Sequence, residues 1–154
     1  MQLYMSRAAE SSARDVLDTV PLVMQFIRDR IRLQRTAGLS VLQFRTLAFL
    51  SRVRKASLST VADHAGLSLP AMSRMMNGLV KSGLVERQTV ATNRRQIALT
   101  LTAKGRTTRE KMRDGVRKQL ADSLKTLSTA EQKVIQEAMQ SLHRVFDTPV
   151  PGET

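Results

Sequence analysis

The feature that most limits how this chain can fold is a change in the spacing of its apolar residues at Gly83. Up to that point, and again from Ala103 onward, apolar residues recur every three or four positions, the spacing of one helical face. Between them, Val85, Arg87 and Thr89 alternate with Glu86 and Gln88, and Ile97, Leu99 and Leu101 alternate with Gln96, Ala98 and Thr100. That period of two predicts two short strands around "ATNRR". The pattern therefore implies a mainly α fold with one small β-hairpin, and 154 residues are enough for one domain with its own core.

The helices can be placed from their caps. Val16, Val20, Val23 or Met24, Ile27 and Ile31 share one face, and Pro21 is tolerated only in a first turn, so this helix is expected to start at Thr19 or Val20 and to end before Gly38. Ser40-Val41-Leu42-Gln43 is a capping box opening a second helix to about Lys55. A short helix from Leu58 to Ala65 precedes Gly66, and a fourth starts with Ser68 as N-cap and Pro70 in the first turn. Asn77-Gly78 resembles a hairpin signal, but Met72, Met75, Met76, Leu79 and Val80 carry the helical period through it. Gly83 then serves as C-cap. A long helix is expected from Ala103 to about Leu127 on Met112, Val116, Leu120 and Leu124. A last one, capped by Ser128 and Glu131, runs to Phe146 with Val134, Ile135, Ala138, Met139, Leu142, Val145 and Phe146 on one face.

Charge then narrows the partner. The formal net charge is +12, and it is uneven: +3 over residues 1–50, +9 over 51–111 and zero over 112–154. A field of this size centred on one segment points to an anionic partner, nucleic acid or anionic membrane. A membrane-surface protein would line its basic residues along one helix opposite an apolar face, whereas here they are spread over loops, helices and the hairpin. The start of the chain lacks the apolar core of a signal peptide, and no apolar run reaches the roughly 18 residues of a membrane span. A cytoplasmic protein is expected.

Catalytic and metal chemistry find no support. Cys is absent, which excludes disulfides and thiolate zinc sites. His64 and His143 are the only histidines and neither has carboxylates at ligand spacing, so no metal and no cofactor are expected. No nucleophile–His–acid order and no phosphate-binding glycine loop is present, so the chain does not read as an enzyme.

Within the basic segment, "LSTVADHAGLSLPAMSRMMNGLV" has the makings of a helix-turn-helix. Ala62 is small where two helices must cross, Gly66 supplies the turn, and Val61, Leu67, Met72 and Met75 fall between the helices. The N-terminal half of the second helix, Ser68 to Arg74, would project from the body. A DNA-reading helix meets base edges with its N-terminal residues. Arg74 can bond guanine bidentately, and Ser68 and Ser73 are short donors for bases or phosphates. An ion pair would compete for Arg74, but Pro70, Ala71, Asn77 and Gly78, three and four residues away, are uncharged. The methionines sit at helical spacing and read as core. Arg94-Arg95 alone could be a solvated turn, and the helix-turn-helix before it favours DNA contact.

In order and spacing, "GLSVLQFRTLAFL", "LSTVADHAGLSLPAMSRMMNGLVKSGLVER" and "TNRRQIALTLTAKG" resemble the successive blocks of the MarR family of winged helix-turn-helix regulators. The resemblance implies a single MarR-like domain over 1–154, with dimerisation helices at 16–37 and 103–147 and a winged helix-turn-helix lobe at 40–102. By the same resemblance Ser68, Pro70, Ser73 and Arg74 would face the major groove, and Asn93, Arg94 and Arg95 the adjacent minor groove. Arg54, Lys55 and Arg87, the family's usual Arg after "GLV", would face the DNA backbone. An effector cleft between the dimerisation helices and the lobe would be lined by Phe26, Arg30, Phe44 and Met112. One departure is Asn93, which stands where the family's wing carries Asp, so no acid is there to orient the arginines.

The function expected is therefore a homodimeric regulator that binds a pseudo-palindromic site in double-stranded DNA, a repressor released by a small aromatic or anionic effector. The alternative is a nonspecific architectural protein of nucleoid type.

Overall fold

The computed structural model describes residues 2–34, 38–53, 55–90 and 93–147. Helices α1 (Gln2–Leu33), α2 (Val41–Arg52), α3 (Leu58–Ala65) and α4 (Leu69–Lys81) lead into strands β1 (Val85–Val90) and β2 (Asn93–Leu101). Helices α5 (Ala103–Leu124) and α6 (Thr129–Phe146) complete the order. The mainly α class with one antiparallel hairpin is as the periodicity implied.

Helix starts follow the caps. The side chains of Ser40, Ser57, Ser68, Thr102 and Ser128 each accept a hydrogen bond from a backbone N–H of the first turn, and Ser40–Gln43 and Ser128–Glu131 form full capping boxes. Helix α1 corrects the expected start at Thr19 or Val20, because it runs through Pro21 from Gln2. The ring removes one backbone donor, leaving the carbonyl four residues back without its helical partner. Leu17, which carries that carbonyl, is 73 % exposed, so water can satisfy the group and the helix need not stop.

Helix α2 ends at Arg52 rather than Lys55 because the chain turns extended at Val53 and Ala56 pairs with β2. Ala56 N–H donates to the Leu99 carbonyl at 3.2 Å and Leu99 N–H to the Ala56 carbonyl at 2.7 Å. Helix α5 ends at Leu124, before the expected Leu127.

The hairpin register runs from Val85 opposite Leu101 to Thr89 opposite Ile97, then shifts so that Val90 faces Asn93. Asn93, Arg94 and Arg95 thus begin β2 instead of lying between the strands. A period of two reports a face against the core, and at Ile97, 51 % exposed, that face has already left it. Strand pairing continues where the apolar signal stops.

Two apolar clusters hold the elements. The larger joins Leu47, Phe49 and Leu50 of α2 to Val61, Met72, Met76 and Leu79 of the helix pair and to Val85 and Leu99 of the hairpin. The smaller joins Ile31 of α1 to Met112 and Val116 of α5, with Ile27, Val41 and Phe44 packed against it. The second cluster is the joint between the long helices and the hairpin-bearing lobe.

Candidate nucleic-acid interface

The turn between α3 and α4 is built as its residues require. Gly66 takes φ +67°, a left-handed conformation in which its N–H and that of Leu67 close onto carbonyls of α3. Ala62 and Val61 are fully buried at the crossing. Leu67 just before the Ser68 cap is half-buried, and Met72, four residues into the helix, is completely buried, the placement of a hydrophobic staple. Met76 is equally buried and Met75 half-buried, so these methionines are core.

What projects is the start of α4. Ser68, Leu69, Pro70 and Arg74 are exposed and Ser73 half-buried. Ser68 Oγ accepts from Ala71 N–H at 3.4 Å, so the hydroxyl is partly committed to its cap. Arg74 makes no ion pair among the described residues.

The far end of α4 sets the hairpin. Gly83 at φ +72° donates to the Val80 carbonyl at 2.9 Å, and Leu84 N–H donates to the Leu79 carbonyl at 2.9 Å. This is a Schellman motif, and its apolar partners Leu79 and Leu84 are both buried. Thr102 Oγ1 donates to the Gly83 carbonyl at 2.7 Å and Lys104 Nζ to the Ser82 carbonyl at 2.8 Å, so the start of α5 clamps the same corner. Gly105 lies against the Leu84 backbone, where any Cβ would overlap the carbonyl oxygen.

Among the described residues, one side-chain hydrogen bond crosses directly from hairpin to helix. Arg87 Nη2 donates to Asn77 Oδ1 at 2.6 Å, which the sequence reading did not foresee because the pairing spans the Gly83 corner. Lys55 is exposed, and Arg54 lies outside the described residues. The backbone of Asn93, Arg94 and Arg95 is in β2, and their side chains lie outside what is described.

His64 on α3 stacks on the buried Phe49 ring with centroids 4.1 Å apart. Burial against that ring, then the charges of Arg52 and Arg45, hold its pKa below the ordinary value.

The four residues expected around an effector separate into two places. Met112 is fully buried in the joint cluster with Phe44 packed on it. Phe26 and Arg30 instead line a cleft of about 310 Å³ with Leu33, Gln119, Asp122 and Ser123. The Arg30 guanidinium carbon sits 4.6 Å from the Phe26 ring centroid. Arg30 Nε and Gln119 Oε1 are buried with no hydrogen-bond partner among the described residues. Among those residues no group of His, Asp and Glu is arranged to hold a metal ion.

Residues 37–96 match a family model described as MarR family. No curated protein matches the chain by sequence. Among solved structures the fold is shared with Rv1404 from Mycobacterium tuberculosis, at a TM-score of 0.74 and 24 % identity, over 92 % of this chain and 95 % of that one. The MarR family protein Rv2887 from Mycobacterium tuberculosis, solved in complex with salicylic acid, is 26 % identical over 80 % of this chain and 92 % of its own, with a TM-score of 0.64. The transcriptional repressor CouR, solved on a 23-mer DNA duplex, has a TM-score of 0.62 at 23 % identity over 79 % of this chain and 86 % of its own. The matched span takes in the helix pair and the hairpin as far as Gln96, where the chain is similar to the MarR family, and the fold shared with Rv1404 extends over both flanking helical regions.

Proposed function

We propose that the protein is a homodimeric, cytoplasmic repressor that reads a pseudo-palindromic DNA site and releases it on binding a small aromatic or anionic effector. The observation that carries the reading is the projecting start of α4, with Arg74 free of any ion pair among the described residues, fixed to a hairpin within the chain's most basic segment. In this reading Ser68, Pro70, Ser73 and Arg74 enter the major groove, the strand start at Asn93, Arg94 and Arg95 reaches the minor groove, and Arg54 and Lys55 approach phosphates.

Dimerisation is supported by apolar faces left uncovered. No residue of α6 is buried, and Val134, Met139, Val145 and Phe146 are all more than half exposed. Leu17 and Leu22 of α1 are similarly open. Two helices with this much exposed apolar surface are what a partner subunit would cover.

For the effector we retain Phe26 and Arg30, and assign Phe44 and Met112 to packing. A cation held over an aromatic ring, with an orphan donor and an orphan acceptor beside it, suits an aromatic acid that also carries a hydroxyl. Salicylic acid in the Rv2887 complex has that chemistry.

The experiment is selection of bound duplexes from a random pool, repeated with phenolic acids present. Enrichment of a pseudo-palindrome with half-sites about one helical turn apart supports the reading, and loss of enrichment with one acid identifies the effector class. Binding without enrichment would instead favour an architectural, nonspecific protein.

A further inference from the structure

We propose that Leu69 is a specificity-determining residue of the DNA-reading helix, and that it recognises the C5-methyl group of a thymine in each half-site. The inference rests on the DNA-binding reading above and adds a base to it. Leu69 is the first residue of α4, between the Ser68 cap and Pro70, and it is 51 % exposed. Nothing in the packing of the lobe requires an apolar side chain there. The staple at this helix start is made by Leu67 and Met72, and Leu69 belongs to neither apolar cluster. A large aliphatic group is therefore held out at the end of the helix that a groove-reading protein places nearest the bases. Ser68, Ser73 and Arg74 nearby are polar or cationic, as contact with bases and phosphates demands, and beside the small ring of Pro70 Leu69 is the large aliphatic group on this surface.

In the major groove only one base offers an apolar edge. Thymine carries a methyl group at C5, and the other three bases present hydrogen-bond donors and acceptors that a leucine cannot satisfy. A leucine facing guanine or adenine would leave those groups dehydrated and unpaired, whereas against a thymine methyl both apolar surfaces leave water together. Pro70, with its fixed φ and no backbone donor, stiffens the turn on which Leu69 is carried.

The test uses the full-length protein and the operator recovered by selection. Each thymidine is replaced in turn by deoxyuridine, which removes the methyl and nothing else. Burial of one methyl is worth about 0.8 kcal/mol, or about a fourfold change in Kd at 25 °C. We expect one thymine per half-site to show a loss of about this size, and about 15-fold when both symmetric methyls are removed. In Leu69→Ala the same replacement should cost nothing, and the folded lobe should be intact because the residue lies outside the core. If no thymidine is sensitive in the wild type, or if the penalty is as large in Leu69→Ala, the assignment to Leu69 is overturned while the regulator reading stands. If selection recovers no operator, the regulator reading fails first and the inference falls with it.

Discussion

Arg87 Nη2 lies 2.6 Å from Asn77 Oδ1, so a side chain of the wing's first strand grips the outer face of the helix that would read DNA. The two residues sit on either side of the Gly83 corner, and their bond adds a side-chain tie between helix and hairpin to the backbone bonds that set that corner. The guanidinium that the family resemblance would turn toward the DNA backbone is hydrogen-bonded within the protein. We expect Asn77→Ala and Arg87→Ala each to weaken operator binding about three- to tenfold, and the double variant to be no worse than either, because the pair acts as one unit. The salt dependence of affinity should not change. A drop of about one in the slope of log affinity against log salt on Arg87→Ala would show that Arg87 contacts phosphate instead.

Arg74 and the wing arginines should differ in kind. Arg74→Ala is expected to relax base preference at one position per half-site, at about 1–3 kcal/mol, with the remaining positions unaffected. Arg94→Ala or Arg95→Ala should weaken binding to all sequences and lower the salt slope by about one each. Selection and salt titration on the three variants distinguish these outcomes.

The uncovered face of α6 gives a prediction about assembly. Val134→Lys together with Phe146→Lys places charge on side chains that are more than half exposed in the single chain, so the subunit's own fold should persist. Sedimentation should then change from dimer to monomer. A species that still sediments as the wild type does would place the subunit contact elsewhere.

Two glycines should respond in opposite directions. At Gly78, inside α4, a Cβ would meet nothing within 4 Å, so Gly78→Ala should stabilise the protein by about 0.5–1 kcal/mol through helix propensity. At Gly105 the same methyl would strike the Leu84 backbone, which cannot yield as a side chain end could, and Gly105→Ala should destabilise by about 1–3 kcal/mol. Denaturant unfolding reads both.

His64 makes the lobe sensitive to mild acid. Its pKa in the fold lies below the ordinary 6.5, so as pH falls the unfolded chain takes up the proton first. This contribution to stability is complete above that ordinary value and is lost as pH falls toward the folded-state value. The wild type should therefore lose more stability between pH 7 and 5 than His64→Gln, by a modest amount because the ring is still open to solvent. Equal pH profiles for the two proteins would remove His64 from the account.

Much of this molecule could be read from local signals. The capping residues Ser40, Ser68 and Ser128 located three helix starts, Gly66 located the turn, and the period through Asn77-Gly78 correctly kept α4 helical against a hairpin signal. The places that misled were those where the local signal and its cause part company. Pro21 would end a helix with a buried carbonyl, but exposure decides whether water can take the freed bond. The apolar alternation ended at Ile97 because burial ended there, while strand pairing carried on to Asn93.

The sequence by itself determined the elements, their order and the basic character of the central segment, because period, caps and charge are properties of neighbours along the chain. Only the tertiary structure decided which groups, backbone or side chain, meet across it. It joined Arg87 to Asn77, Ala56 to Leu99 and Gly105 to Leu84, sent Met112 into the core while Phe26 and Arg30 stayed on a cleft, and left Leu69 in the open. Each of these depends on how elements pack, and an apolar residue at helical spacing looks the same in sequence whether a neighbour covers it or not.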